Sequence, residues 1–334
     1  MGSVTRRPLL LPLLGLLLGL LAAPFTLTAH AQEMFRIGYS ADSARQAPLT
    51  VTFTATFPAT HTVRWSFGDG AAAQGPQVTH TYYRPGTFTL VATLVNAQGR
   101  EVSRAQTPIE VRSGGPERAE LTVLHAPDSV RLGTAGSVLY RPETPRVFLD
   151  GREVGTGPTP LASGPHAALA QATGSAGQRL ERRLTLNAAP FQTSAAFDSE
   201  VLRLTNRARA QGWNCAALRA GGPALPPLKL HPALDLAAQG QSAGMALYGY
   251  FDHTSALDGS SPMRRVQTAG LSPSSVAENI AAGQTSPDEV VNGWLRSPGH
   301  CRNIMGDFTL IGLSYVSRPG TTYKHYWTQV FARP

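Results

Sequence analysis

The spacing of apolar residues changes near residue 190, and this change limits the chain to a β-rich part followed by a part that contains helices. Before that point apolar and polar residues alternate in short runs between Gly/Pro turns, as in Leu49 to Ala55. Such alternation is typical of antiparallel sheets. After Phe197 apolar residues recur at helical spacing, as at Val201, Leu204 and Ala208. The sequence therefore predicts a multidomain protein.

Residues 1–31 have the three parts of a secretory signal peptide. Arg6 and Arg7 precede an apolar run, and Ala29-His30-Ala31 forms a small-x-small cleavage site. The run is too short to span a bilayer comfortably, so we expect cleavage near Ala31 and no transmembrane anchor in the mature chain. We therefore expect a secreted, extracellular or cell-envelope protein, and the sequence leaves free secretion and envelope retention both open.

The chain is moderately basic, with a formal net charge of +8 that falls to +6 when Arg6 and Arg7 are removed. A basic secreted protein can adhere to anionic envelope polymers. The basic residues are scattered and no nucleic-acid-binding motif is present, so nucleic acid is not an expected partner. Cys215 and Cys301 are the two cysteines of the chain. In an oxidising compartment such an isolated pair is expected to form a disulfide.

Residues 35–112 contain a motif that resembles the polycystic kidney disease (PKD) domain. The motif is Trp65-Ser66-Phe67-Gly68-Asp69-Gly70, followed downstream by His80-Thr81-Tyr82 and Pro85-Gly86-Thr87-Phe88. The resemblance implies an antiparallel β-sandwich that serves as a spacer or adhesion module. We expect Trp65 and Phe67 to fill its core, and we expect structural roles for Asp69 and His80.

The sequence of residues 117–187 predicts a second, small β-rich module. The stretch from Val147 to Gly155, with Thr159-Pro160-Leu161 after it, weakly resembles a PEGA-type surface module. An ordinary small β-sandwich explains these strands equally well. Residues 188–196 are expected to form a linker to the last domain.

The last domain has its own helix and strand signals. Asp198 is a plausible N-cap for a helix that ends near Gln211, and a second helix runs to about Tyr248. Ser286-Pro287-Asp288-Glu289 is a capping box, which gives Glu289 a structural role. Alternation then predicts a terminal hairpin, with strands at Leu310 to Ser317 and Tyr323 to Ala332.

Residues 197–334 resemble the CAP superfamily (cysteine-rich secretory, antigen-five and pathogenesis-related proteins) in its bacterial SCP-domain form. The resemblance rests on ordered motifs, among them Phe251-x-His253, Glu278-Asn279-Ile280-Ala281-x-Gly283, Val291-x-x-Trp294, Ser297-Pro298-Gly299-His300 and Tyr326-Trp327-Thr328-Gln329. It implies an α-β-α sandwich with a cleft where His253, Glu278 and His300 meet. Many animal members add a second glutamate three residues after a tryptophan, where this chain has Ser297.

Two imidazoles and a carboxylate suit three kinds of site. They could hold Zn²⁺ or another divalent metal and activate a water. Without metal, Glu278 could act as general base and a histidine as acid. Alternatively, the three side chains form a hydrogen-bonded cluster that holds the cleft together. Gly240-Gln241-Ser242-Ala243-Gly244 matches the GxSxG nucleophile motif, but it lies in a helical run, which argues against Ser242 as a nucleophile.

These observations favour a non-catalytic binding protein over an enzyme. Its CAP cleft and hydrophobic grooves would engage a small ligand, a lipid or a cell-envelope polymer, with the β modules as spacers. The alternative is a metal-assisted extracellular hydrolase of peptide or ester bonds. A third possibility is an adhesion protein that binds through its PKD-like module.

Overall fold

The computed structural model describes residues 35–41 and 44–334. The predicted signal peptide and its cleavage site lie outside these residues. None of the helices in the described part of the chain is long and apolar enough to cross a membrane.

The N-terminal domain is an antiparallel β-sandwich, as the alternating pattern predicts. Its strands are β1 Arg36–Ala41, β2 Leu49–Thr56, β3 Thr62–Ser66, β4 Ala72–Gln74, β5 Gln77–Tyr82, β6 Gly86–Val95 and β7 Glu101–Val111. One sheet has the strand order β1-β2-β5 and the other has the order β4-β3-β6-β7. Leu49, Val51 and Phe53 point into the space between the sheets, where they pack with Trp65 and Phe67.

The Asp69-His80 pair of this domain is structural, as expected. The ring of His80 stacks on Phe67 and its Nε2 lies 2.7 Å from Asp69 Oδ2. The other oxygen of Asp69 accepts a hydrogen bond from the backbone N–H of Ala71, which fixes the turn between β3 and β4.

The middle module is also a small sandwich. Its strands are β8 Thr122–His125, β9 Ser129–Gly133, β10 Arg146–Leu149, β11 Arg152–Val154, β12 Pro158–Pro160, β13 Gly164–Thr173 and β14 Arg179–Ala188. The two sheets have the orders β12-β9-β8 and β11-β10-β13-β14, and they share a core that includes Leu121, Val130 and Leu186.

The C-terminal domain is built around one sheet. Its helices are α1 Ala195–Ala210, α2 Pro232–Tyr248, α3 Pro262–Thr268, α4 Pro287–Arg296 and α5 Pro298–Ile304. Its strands are β15 Gln192–Thr193, β16 Trp213–Asn214, β17 Arg219–Ala220, β18 Lys229–Leu230, β19 Ser275–Ala282, β20 Leu310–Ser317 and β21 His325–Arg333. The central sheet has the order β15-β20-β21-β19, with β18 parallel to β20.

Helices cover both faces of this sheet, which gives the predicted α-β-α sandwich. On one face α1, α4 and α5 pack against Ile311 and Phe331. On the other face α2 and α3 pack against Val330 and Ala332. Helix α2 crosses β20 so closely that a Cβ on Gly312 would lie 2.0 Å from the carbonyl carbon of Leu234. Strands covered on both faces are buried along their length, as β20 and β21 are.

The segment predicted as a linker belongs to the C-terminal domain. Gln192 and Thr193 form β15, which pairs with Val316 and Ser317 at the edge of the sheet. The N-cap of α1 is Ser194 rather than Asp198, because the hydroxyl of Ser194 accepts a hydrogen bond from the N–H of Phe197. The helix thus begins earlier than expected.

The expected disulfide is present. It joins Cys215 to Cys301, with a Cα–Cα distance of 5.6 Å. Cys301 is fully buried in α5 and follows His300 directly, so the bond fixes the helix that carries the second histidine of the predicted cleft.

Candidate functional site

Glu278 is the centre of the site and is bonded through both carboxylate oxygens. It lies on β19 opposite Val330, and its side chain is only 1 % exposed. Oε1 accepts a hydrogen bond from His253 Nδ1 at 2.8 Å. Oε2 accepts one from Arg265 Nη2, also at 2.8 Å. The sequence-predicted pair of His253 and Glu278 is therefore in direct contact.

Arg265 is the site residue that sequence reasoning missed. Its buried guanidinium donates from Nη1 to the carbonyl of Ser260 at 2.8 Å and from Nη2 to the carbonyl of His253 at 2.9 Å. A buried cation needs a counter-charge, and Glu278 supplies it. A signal was present, because Arg265 stands four residues before Ala269 and so shares the inward face of α3.

His253 presents the exposed part of the site. Its side chain is 50 % exposed and extends from the loop between α2 and α3. The hydrogen bond to Glu278 raises the pKa of His253 above its ordinary value. Because Nδ1 donates to the carboxylate, Nε2 is the ring nitrogen that remains for a ligand.

His300 lies on α5 beside the same cleft. Within the described residues its buried Nδ1 has no hydrogen-bond partner. Burial, and then the charge of His253, lower the pKa of His300. The pKa values of the two imidazoles are therefore shifted in opposite directions, so that His253 keeps its proton to a higher pH than His300 does.

Amide side chains fix the distance between α5 and β19. Asn279 Nδ2 donates to the carbonyl of His300 at 3.1 Å, and Asn303 Nδ2 donates to Asn279 Oδ1 at 2.8 Å. Asn303 Nδ2 also lies 3.2 Å from the carbonyl of Glu278. These bonds give a structural reason for the Glu-Asn and His-x-x-Asn pairs in the sequence motifs.

The residues do not fit a three-ligand metal centre, which is one of the three kinds of site that the sequence leaves open. Both oxygens of Glu278 are occupied, and one of them faces the cation of Arg265, which opposes the approach of a second cation. Among the described residues no group of three or more His, Cys, Asp or Glu side chains is placed to hold a metal ion. The same hydrogen bonds disfavour Glu278 as a general base, because each oxygen already accepts a hydrogen bond and the carboxylate is buried away from solvent.

Comparison with known families agrees with the fold. Residues 202–331 match the model of the CAP family, described as the cysteine-rich secretory protein family. The C-terminal domain is a CAP domain. Residues 32–111 match the model of the PKD domain, so a PKD domain precedes the CAP domain in this chain.

Relatives of the chain include a Bacillus subtilis protein named "Uncharacterized protein YkwD". It is 36 % identical over 152 residues, which cover 45 % of this chain and 52 % of that protein. The chain therefore spans about half the length of this relative.

Two solved structures are also similar. An outer surface protein from Borrelia burgdorferi has 21 % identity and a TM-score of 0.33, with coverage of 42 % of this chain and 97 % of that one. An extracellular Bacillus anthracis protein that contains an SCP domain has 18 % identity and a TM-score of 0.34, with coverage of 74 % and 82 %.

Several other polar side chains have structural roles in the CAP domain. Ser242 is buried inside α2 and hydrogen-bonds Thr328 Oγ1, so it does not form a nucleophile elbow. His231 caps α2, and His325 Nδ1 lies 2.7 Å from the hydroxyl of Tyr315. Glu289 belongs to the N-terminal cap of α4, where its Oε2 accepts a hydrogen bond from the N–H of Thr285.

Two exposed aromatic side chains near the site were not predicted. Phe251 is 47 % exposed and Tyr323 is 43 % exposed, and their ring centroids are 6.0 Å apart. Phe251 stands two residues before His253 on the same loop. The signal in the sequence was the Tyr-Phe pair at the start of the His253 loop.

A separate cavity lies between α1 and α4 of the CAP domain. Its volume is about 90 Å³, and it is lined by Leu204, Arg207, Trp213 and Asp288 among others. None of the three cleft residues lines it. Pockets for small molecules usually measure about 300–1,000 Å³, so this cavity is too small for a lipid in its present shape.

Proposed function

We propose that this chain is an exported, non-catalytic binding protein whose CAP domain takes up an anionic cell-envelope polymer at His253 and His300. The observation that carries the proposal is the bonding of Glu278. Its carboxylate is buried between Arg265 and His253 and holds the imidazole in place. The group that can contact a ligand is thus the oriented imidazole of His253, and the carboxylate of Glu278 is not available as a catalytic base.

Charge supports an anionic ligand. The raised pKa of His253 keeps its ring protonated to a higher pH than an ordinary histidine, and the ring is half exposed. The net positive charge of the chain adds a general attraction for polyanions. A polymer that carries carboxylate or phosphate groups would be attracted both by the protonated His253 ring and by the net positive charge. The exposed rings of Phe251 and Tyr323 would contact its apolar parts.

The other functions have less support. A metal-assisted hydrolase would use Glu278 as base or ligand, and both of its oxygens are occupied. Lipid uptake would need a larger cavity than the one between α1 and α4. The PKD domain remains a candidate adhesion or spacer module, so the test must separate it from the CAP domain.

The test is co-sedimentation of the purified mature protein with isolated peptidoglycan sacculi, which carry carboxylates on their peptides. We expect wild-type protein to pellet more at pH 6 than at pH 8. A His253→Ala/His300→Ala variant should lose most of the binding, whereas His61→Ala, which changes a partly exposed histidine of the PKD domain, should keep it.

Three results would contradict the proposal. Equal sedimentation of the double variant and the wild type would exclude the cleft as the binding site. Loss of binding on deletion of residues 35–112 alone would assign binding to the PKD domain. Release of soluble fragments from the sacculi by wild type, lost in the double variant, would instead establish a hydrolase.

A further inference from the structure

The outer edge of strand β8 in the middle module is covered by the CAP domain. The backbone N–H of Val123 donates to Asp258 Oδ2 at 2.7 Å. Leu124 packs fully buried against α2, where a Cβ on Gly240 would lie 2.6 Å from its Cδ2. His125 lies 2.9 Å from the hydroxyl of Tyr248. A sheet edge exposes unpaired backbone groups, and here part of that edge is bonded to side chains of the other domain.

Asp258 belongs to the loop that carries His253. It is 3 % exposed, and its second oxygen, Oδ1, accepts a hydrogen bond from the N–H of Ser260 at 2.8 Å. The carbonyl of Ser260 in turn accepts from Arg265, which also binds the carbonyl of His253 and the carboxylate of Glu278. A continuous set of hydrogen bonds, buried at the Val123 end, thus runs from Val123 to the imidazole.

This set of bonds gives the middle module a role beyond spacing. A buried carboxylate must have its oxygens satisfied, so the position of Asp258 is determined by the amides of Val123 and Ser260. One of these amides comes from a residue 135 positions away in sequence, on a different module. The loop end nearest Arg265 is therefore fixed from outside the CAP domain.

We propose that Asp258 is a positioning residue, through which strand β8 of the middle module holds the His253 loop in its binding geometry. The middle module is then part of the scaffold of the site. The proposal rests on the function proposed for His253, but the tautomer of the ring can be measured whether or not a ligand has been identified.

The test is Asp258→Asn in the full mature chain. Asparagine has one acceptor oxygen where aspartate has two, and its NH₂ group cannot accept a hydrogen bond. One of the two bonds from the backbone N–H groups of Val123 and Ser260 is therefore lost. The readout is the tautomer of His253, observed by ring ¹⁵N NMR at a pH where the ring is neutral. Wild type should show the Nδ1–H form, because Nδ1 donates to Glu278, and the variant should show a mixture with the Nε2–H form.

Tyr248→Phe is the matched control. It removes a hydroxyl that binds His125 and the N–H of Asn187 at the same contact between modules, but that makes no hydrogen bond to the His253 loop. We expect this variant to lose stability while His253 keeps the wild-type tautomer. If Tyr248→Phe changes the tautomer as much as Asp258→Asn does, general loosening explains the effect and the proposal is wrong.

A second variant keeps the test decisive if Asp258→Asn does not fold. Val123→Pro removes the N–H donor and leaves Asp258 and Ser260 unchanged, and proline is tolerated on an edge strand where the N–H points outward. It should also give the tautomer mixture. A folded variant of either kind with the wild-type tautomer would overturn the proposal.

Discussion

His125 should make the contact between the middle module and the CAP domain sensitive to acid. Its ring is buried, with only 2 % of the residue exposed, and its Nε2 lies 2.9 Å from the hydroxyl of Tyr248. Burial lowers the pKa of His125 from 6.5 to about 4, and the nearby charge of Asp258 only partly opposes this. The ring is therefore neutral in the folded protein over a pH range where an unfolded chain would protonate it.

The sign and size of the effect follow from these two pKa values. Because the unfolded chain binds the proton first, the free energy of unfolding falls as the pH drops from about 6.5 towards 4. One pKa unit corresponds to about 1.4 kcal/mol, so the total loss from this histidine is about 3 kcal/mol. This stability is fully present above pH 6.5.

The assay is urea unfolding at pH 7 and at pH 4, followed by tryptophan fluorescence. Trp213, Trp294 and Trp327 lie in the CAP domain and Trp65 lies in the PKD domain, so the signal is dominated by the CAP domain but includes both. In His125→Gln the replacement does not titrate, so the loss of unfolding free energy between the two pH values should be smaller than in wild type by about 3 kcal/mol. Other titrating groups cancel in this difference.

The control is His61→Gln, which replaces a partly exposed histidine of the PKD domain and leaves the contact of His125 with Tyr248 unchanged. The reasoning is refuted if His125→Gln loses as much stability between pH 7 and pH 4 as the wild type. A difference of the opposite sign would mean that the folded protein binds the proton more tightly than the unfolded chain.

Three further changes test the packing of the CAP domain. Replacing Cys215 and Cys301 by serine should lower the free energy of unfolding by about 2–5 kcal/mol, measured by urea unfolding, because the unfolded chain loses its cross-link. Gly240→Ala should lower it by about 1–3 kcal/mol, since the new Cβ meets Leu124. Gly293 lies on α4 and faces open space, so Gly293→Ala should instead raise the free energy of unfolding slightly, by about 0.5–1 kcal/mol.

Local patterns were sufficient to predict much of the fold. The alternation in Leu49 to Ala55 and the capping box at Ser286 depend on residues close in sequence, and both features are present in the structure. The two-residue strand β15 was missed because two residues cannot show alternation. Ser194 was missed as a cap because Asp198, also a capping residue type, stands closer to the first apolar position.

The site could be predicted only in part, for a physical reason. The resemblance to the CAP superfamily named His253, Glu278 and His300, but it did not show that Glu278 has two partners. The bond between Val123 and Asp258 joins residues of different modules and leaves no periodic pattern. Contacts of this kind depend on how whole helices and strands pack together. The spacing of residues within one helix or strand does not determine that packing.

Glu278→Gln decides whether this residue is an anchor or a base. The amide oxygen can still accept from Arg265, but the guanidinium loses its buried counter-charge, and the amide nitrogen places a second donor against His253 Nδ1. Breaking a buried ion pair from one side costs about 3–5 kcal/mol, so the free energy of unfolding at pH 7 should fall by about that amount.

Glu289→Gln is the control for Glu278→Gln, because Glu289 is an exposed cap residue of α4 and its loss should cost far less. The measurement is urea unfolding of both variants beside the wild type. If Glu278→Gln proves as stable as Glu289→Gln, the negative charge of Glu278 is not required to hold the site together. A charge that contributes nothing to stability in so buried a position would then have to be explained by chemistry, and the catalytic alternative would gain the support that the binding proposal loses.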